Sequence, residues 1–506
     1  MIKKIISIES LKKKITNSKI KGKKIVLCHG VFDLLHLGHI RHFNEAKNLG
    51  DVLVVSITSD EFVHKGPNRP AFNENDRAEA IASLNCINFV VINRNLTASS
   101  LIKKLKPNIY CKGSDYKINK NDVTGEIKNE IKSVKKIGGK IIYTKDITFS
   151  SSKLINTFRS AHSSSKNILN RIKKNNTFSE IKKHFENFKQ LKVLVIGETI
   201  IDQYYFCDAL GKSGKEPVLV LRDIRMEEYL GGAAAISRHL SQFCNKITLL
   251  SMLGAKGEFL QKIKKNLAKN IKFEFIKKKN SPTILKRRYL DIISNNKVLG
   301  VYKINDDILS DDEELLLNNK LKRLINAHDL IIVSDYGHGF ISKKSAELIC
   351  KHSKYLSLNA QVNAANIGYH SMRKYKNIDC FVVNERELRH ELRDKNNKIE
   401  LLVKKLASQQ NIKDLIITRG SEGSILYSKK ENKFKTCEAL AKTAVDKIGA
   451  GDAMLSMIAL CLKSKLSKDL SLLIASLAAA QSVETIGNSE TINKIRILKS
   501  INHLLK

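Results

Sequence analysis

The pattern of apolar and polar positions divides the chain into two stretches of the same kind. In the first, Lys24-Ile25-Val26-Leu27-Cys28 is a short apolar run with β-branched residues, the pattern of a buried strand. Ile40, Phe43, Ala46 and Leu49 then recur at helical spacing, and Val52-Leu53-Val54-Val55-Ser56-Ile57 is a second strand-like run. Together they predict a β-α-β unit. From Leu191 a new series begins with "LKVLVIG", "DLIIVSD", "DCFVVN" and "DLIITRG", separated in part by helical segments such as 398–411. This alternation predicts an α/β protein of two doubly wound parallel-sheet domains, whose ligands gather at the C-terminal ends of the strands. Residues 160–188 are polar and basic without a strand signal, and read as a linker running into a helix. The expected division is a basic N-terminal helix over 1–24, a first domain over 25–160, a linker over 161–189 and a second domain over 190–506.

The first domain carries "HGVFDLLHLGH" at residues 29–39, where a strand gives way to a helix. His36 and His39 fall at the first turn of that helix, where unpaired N–H groups and the helix dipole attract anions. Gly38 lets a ligand approach the backbone closely. Two imidazoles converging there suit a phosphate whose charge grows during reaction.

The string "GVFDLLHLGH" resembles the HxGH signature of the cytidylyltransferase-like nucleotidyltransferases. The resemblance continues through "AKNLGDVLVVSITSDEF", "NRPAFNENDRAEAIASL", "KPNIYCKGSDY" and "ITFSSSKLIN". It implies that His36 and His39 bind a triphosphate and stabilise attack on its α-phosphorus. It also implies nucleotide contacts from Phe32, Lys65 and Arg77, and from Ser150, Ser151 and Ser152 at the β- and γ-phosphates. Lys145 stands where relatives with glycerol-phosphate activity have an arginine.

The second domain carries "DKIGAGDAML" at 446–455. Gly449, Ala450 and Gly451 are three small residues at the mouth of a helix that is apolar nearly all round, so its N–H groups face the interior or a cleft. Asp452 there is suited to cap the helix. It is equally suited to take a proton from a hydroxyl attacking a γ-phosphate. The string resembles the C-terminal signature of the ribokinase-like (phosphofructokinase-B) sugar kinases. That resemblance implies Asp452 as catalytic base and Gly449–Gly451 as an anion hole. It implies sugar contacts from Asp202 in "GETIID" and from the diglycine Gly231-Gly232. It further implies that Asn384 and Glu387 of "NERE" organise Mg2+ and its waters, and that Thr418, Gly420 and Gly423 of "ITRGSEG" bind nucleotide. Ala235 replaces the asparagine that usually follows the diglycine, and Asn359-Ala360-Gln361 replaces an Asp-Pro-Lys.

Composition changes little in this picture. The 506 residues include 89 Lys and Arg against 50 Asp and Glu, a net charge of +39. The lysines are spread along the whole chain without a nucleic-acid-binding motif, alongside abundant Ile and Asn, which points to composition rather than to a nucleic-acid partner. The nine cysteines form no C-x-x-C pair, so their spacing indicates neither a zinc site nor a disulfide framework, and they suit a reducing cytoplasm. No apolar stretch reaches the ~18 residues that span a bilayer.

Both domains together resemble the bifunctional enzymes that join a heptose 7-phosphate kinase to a heptose 1-phosphate adenylyltransferase in lipopolysaccharide precursor synthesis. "KGSDY" (112–116) is close to their "KGGDY", and "KEPVLVL" (215–221) is similar to "PEAPVPV". The domain order is reversed here. The resemblance implies ATP and Mg2+ as cofactors, with CTP open for the transferase. Phosphosugars and nucleoside triphosphates are the implied partners, with a separate phosphatase in the pathway and a homodimer one arrangement open to the chain. The alternatives are a CTP-dependent polyol or sugar-phosphate cytidylyltransferase fused to a different sugar kinase, and a basic nucleic-acid-binding protein on enzyme-like domains.

Overall fold

The computed structural model describes residues 4–16, 22–63, 69–113, 126–144, 165–362, 366–441 and 443–505. It divides into two compact units, Met1–Ser163 with Ile495–Lys506, and Ser164–Lys494. Among the described residues, no helix is long and apolar enough to cross a membrane.

In the first unit, β1 (Ile25–Gly30), β2 (Val52–Thr58), β3 (Phe89–Asn93), β4 (Ile109–Lys112) and β5 (Lys140–Tyr143) form one sheet in the order β3-β2-β1-β4-β5. Every pairing is parallel. All seven residues of β2 are buried, Ser56 and Thr58 included, as in a parallel strand covered on both faces. The strand order reverses between β1 and β4, which opens a crevice at their C-terminal ends. The HxGH segment leaves β1 at that end and enters the helix Leu37–Lys47.

The second unit is built on a nine-stranded sheet. Its strands are β6 (Lys192–Gly197), β9 (Lys246–Gly254), β10 (Ile271–Lys278), β13 (Leu330–Asp335), β14 (Leu356–Ala360), β15 (Cys380–Asn384), β16 (Asp414–Thr418), β17 (Ser424–Ser428) and β18 (Lys433–Cys437). The order is β10-β9-β6-β13-β14-β15-β16-β17-β18, parallel as far as β16 and antiparallel beyond. The four strands expected from sequence are β6, β13, β15 and β16. The helix Ala450–Lys463 is buried at every position from Asp452 to Leu462, which accounts for its all-round apolar pattern.

A four-stranded sheet was not anticipated. It consists of β7 (Thr199–Lys212), β8 (Leu219–Gly232), β11 (Leu285–Asp291) and β12 (Lys297–Lys303), in the order β12-β11-β7-β8. Every residue of β12 is exposed, as is half of β8. The second unit begins with the helices Ser165–Asn175 and Phe178–Asn187, the latter opened by a Thr177–Glu180 capping box.

Candidate active sites

In the first unit His36 is the N-cap of the helix Leu37–Lys47. Its Nδ1 accepts from the Gly38 N–H at 3.1 Å. With Nδ1 an acceptor, the proton of the neutral ring sits on Nε2. Burial lowers the pKa of His36, so the neutral form prevails at pH 7. The His36 and His39 rings stack with centroids 3.9 Å apart and planes 18° apart. Phe32 closes the cluster with its ring edge-on to His39 at 5.3 Å, and holds a left-handed backbone conformation at φ 47°. A bulky residue in that region carries strain that its surroundings must hold in place. Here the ring is held against Phe43 as well, with centroids 5.0 Å apart. Asp33 is fully buried, paired with Arg69 at 2.7 Å and accepting from the Ala71 N–H.

Arg77 is held by the protein itself. Its guanidinium is buried and donates to the carbonyl oxygens of Phe72, Val31 and Thr58 and to Asp60. Four of its five N–H bonds are thereby committed to tying the loop after β1 to the end of β2. Arg77 thus positions the loop that carries the histidines. Lys65 and Ser150, Ser151 and Ser152 lie outside the described residues.

In the second unit Asp452 occupies the third position of its helix. Gly449 is the N-cap, and no side chain caps this helix. The capping explanation for Asp452 therefore fails. Its Oδ1 instead accepts from the buried Tyr336 phenol at 2.8 Å. Burial pushes the carboxyl of Asp452 up to about 7, although the tyrosine bond works to lower it. Gly449 holds φ 88°, and a Cβ there would meet Asn488 Oδ1 at 2.3 Å.

Asp202 projects from β7 and pairs with Arg288 on β11. A side chain at Gly231 would place its Cβ 2.2 Å from Asp202 Oδ2, so the diglycine is what lets this carboxylate lie against the β8 backbone. Gly232 is equally confined, by the Glu198 carbonyl and the Tyr336 ring. Lys286, two residues before Arg288 on the same face of β11, is buried with its ammonium 5.6 Å from the centre of the Tyr336 ring. Burial lowers the pKa of Lys286 while the charge of Asp202 raises it. Asp202, Lys286, Tyr336 and Asp452 are thus joined through direct contacts and mutual charge. Beneath them Glu198 accepts from the N–H groups of Tyr336 and His338, which fixes the loop bearing the phenol.

Asn384 ends β15 and Thr418 ends β16, where the two are direct register partners. Gly420–Glu422 form the following turn, closed by Gly423. Asn384 and Glu387 form a capping box: the Asn384 side chain accepts from Arg386 N–H, and Glu387 Oε2 accepts from Asn384 N–H at 2.9 Å. Burial pushes the Glu387 carboxyl up to about 7. Ala235 is buried in the helix Ala233–Leu240, and Asn359 donates to the Val382 carbonyl.

Sequence reasoning missed Tyr336, Lys286, Arg288, Glu198 and Asp446. Asp446 begins the quoted "DKIGAGD" and accepts from Tyr204, Lys297, Ile448 N–H and Gly487 N–H, which anchors the approach to the anion hole. The "KRR" of 286–288 was a visible signal: three cations in a row that alternate across a strand put two on one face.

Known proteins bear on both units. The cytidylyltransferase-like family matches residues 27–171, and the pfkB family of carbohydrate kinases matches residues 190–495. The transferase-like segment thus precedes the kinase segment. "Bifunctional protein HldE" of Campylobacter jejuni (strain RM1221) is 28% identical over 321 residues, 62% of this chain and 65% of that protein. The protein of the same name from Aliarcobacter butzleri (strain RM4018) is 43% identical over 141 residues, 28% of this chain and 29% of that one. The matches therefore span less than two thirds of these relatives. Among solved structures, phosphofructokinase-2 from Escherichia coli in complex with substrates and products has a TM-score of 0.51 at 15% identity, covering 62% of this chain and 100% of that one. The same enzyme in complex with potassium gives 0.51 at 14%, covering 63% and 100%. At such identity the likeness is one of fold. The family match over 190–495 takes in most of the chain and contains Asp202, the diglycine and the Gly449–Asp452 turn, and on that ground the chain belongs to the pfkB family of carbohydrate kinases.

Proposed function

We propose that the chain is a two-headed transferase that phosphorylates a sugar phosphate with ATP and transfers a nucleotidyl group to a sugar 1-phosphate. The substrate we propose is heptose 7-phosphate, phosphorylated at C1, and the product of the second head is ADP-heptose with pyrophosphate. The observation that carries the reading is a buried carboxylate, Asp452, at a helix mouth beside a buried cluster of Asp202, Lys286 and Arg288. The same chain carries two stacked histidines at another helix mouth.

In the kinase, Asp202 accepts from a sugar hydroxyl while Asp452 takes the proton of the attacking one. The oxygen bonds to the γ-phosphorus, ADP leaves, and N–H groups at Gly449–Gly451 meet the charge that develops. Lys286 stands ready as a cation for the phosphate the substrate already carries. Mg2+ fits Glu387, since a carboxyl that burial pushes up to about 7 gains from a nearby cation. Bound there with Asn384 adjacent, the ion would neutralise part of the triphosphate charge. In the transferase, a phosphate oxygen of the sugar 1-phosphate attacks the α-phosphorus and pyrophosphate departs. The Nε2–H of His36 and the ring of His39 face the growing charge.

The two products require a phosphatase between the steps, because a heptose bisphosphate must lose its 7-phosphate. All nine cysteines are free thiols, and a cytoplasmic location is part of the proposal. The test is mass spectrometry of products after incubating the full chain with ATP or CTP and a panel of phosphosugars. A heptose 1,7-bisphosphate and, from heptose 1-phosphate, ADP-heptose are expected. Formation of a CDP-linked product alone would replace the adenylyltransferase with a cytidylyltransferase. Absence of both ADP and pyrophosphate would overturn the reading.

A further inference from the structure

Cys28, His42 and Cys111 are far apart in sequence, yet each brings one donor atom within 4.8 Å of the other two. Cys28 on β1 and Cys111 on β4 are direct register partners on adjacent parallel strands, and both thiols are fully buried. His42 comes from the helix that begins at His36 and reaches over them. We propose that these three side chains form a structural binding site for a thiophilic divalent cation, Zn2+, in the first unit.

The donor set selects the metal. Two thiolates and an imidazole are soft and borderline ligands that favour zinc over magnesium or calcium. In a tetrahedral site with Zn–S near 2.3 Å and Zn–N near 2.0 Å, donors stand about 3.5–3.8 Å apart. The observed spread is about an ångström wider, which side-chain rotation on a fixed backbone can close. Two thiolates balance the ion's charge, so the complex is neutral. That suits an ion in a core that holds Val26, Phe43, Val55 and Ile109, with the nearby Lys112 charge balanced by its pair with Glu130. The buried hydroxyl of Thr144 lies 3.0 Å from His42 Nδ1. Whichever ring nitrogen ligates, this oxygen either orients the ring from its other nitrogen or stands beside the ion itself. Binding displaces one proton from each thiol and ties β1, β4 and the HxGH helix together, which fixes where His36 and His39 stand. The site lies outside the transfer chemistry and does not depend on the proposed activities.

The test uses tag-free full-length protein grown with zinc, then dialysed without chelator and analysed for metal by mass spectrometry. One tightly held zinc per chain is expected. Replacing it with Co2+ should give the near-ultraviolet charge-transfer band of thiolate-bound cobalt. Cys28→Ser and Cys111→Ser should each lose the band, and Cys350→Ser should keep it. Wild-type protein alone decides the matter even where a variant fails to fold. No retained zinc together with no thiolate band on adding Co2+ overturns the proposal. So does a Cys28–Cys111 disulfide in the freshly isolated protein, or a band that survives in the Cys28→Ser variant.

Discussion

The phenol of Tyr336 donates a 2.8 Å hydrogen bond to Oδ1 of Asp452, with both groups buried. A donor aimed at a carboxylate favours its ionised form, and here it opposes the larger effect of burial, which pushes the carboxyl up to about 7. Tyr336→Phe removes only the donor and keeps the ring that faces Lys286. The base should then ionise at higher pH. A hydrogen bond to a charged group is worth ~1.5–3 kcal/mol, which corresponds to about 1–2 pH units. The acid limb of kcat/KM for sugar phosphorylation, near pH 7 in the wild type, should therefore move upward by about one unit or more. A pH profile that does not move would make the contact a packing feature.

Asp452→Asn separates chemistry from structure. No side chain caps this helix, so the change leaves its N-terminus intact. Asparagine accepts the tyrosine bond but takes up no proton. Kinase turnover should fall by ~10²–10⁴, while ATP affinity and nucleotidyl transfer persist. ADP formation at saturating phosphosugar, beside an ATP titration, measures both.

Lys286→Met keeps the length of the side chain and deletes its charge. If the ammonium holds the phosphate already on the sugar, KM for the phosphosugar should rise ~10–100-fold, the equivalent of ~1.5–3 kcal/mol. An unphosphorylated sugar should show no such rise. Equal losses for both substrates would place Lys286 in the support of Tyr336 instead.

Much of this was legible in the sequence, for physical reasons that differ by element. β6, β13, β15 and β16 are buried on both faces, so they read as unbroken apolar runs. The Gly449–Asp452 and HxGH turns announced themselves because close packing and a helix cap restrict residue type tightly. The four-stranded sheet was hidden, since β12 is exposed along its whole length and offers no apolar periodicity to find. The bonds of Arg77 to three carbonyl oxygens could not be read from sequence, because those oxygens reach it only through the fold. Cys28, His42 and Cys111 escaped because their proximity is created by the β1–β4 pairing, not by spacing. Tyr336 and Glu198 escaped for the same reason: a phenol and a carboxylate acquire their roles only when β6 and β13 lie side by side.

His36 and His39 share one helix mouth but do different structural work, and their variants should differ accordingly. His36 accepts the Gly38 N–H, so His36→Ala removes a helix cap together with a donor. Loss of a cap costs ~0.5–2 kcal/mol of stability, and the midpoint of urea unfolding should drop. His39 lies inside the helix and is not its cap, so His39→Ala should lower that midpoint less than His36→Ala does. On nucleotidyl transfer the order should not follow stability. In the proposed mechanism each imidazole meets charge that develops on the α-phosphate only in the transition state, and losing one such donor costs ~10²–10³-fold in rate. His39→Ala should therefore lose activity of that size with the smaller loss of stability, and sugar phosphorylation by the other unit should be unchanged. The double variant should lose less than the product of the two single losses, because neighbouring groups acting on one charge are not additive. Pyrophosphate release measured beside urea unfolding decides the case. A His39→Ala protein of normal transfer rate would remove the HxGH turn from the chemistry.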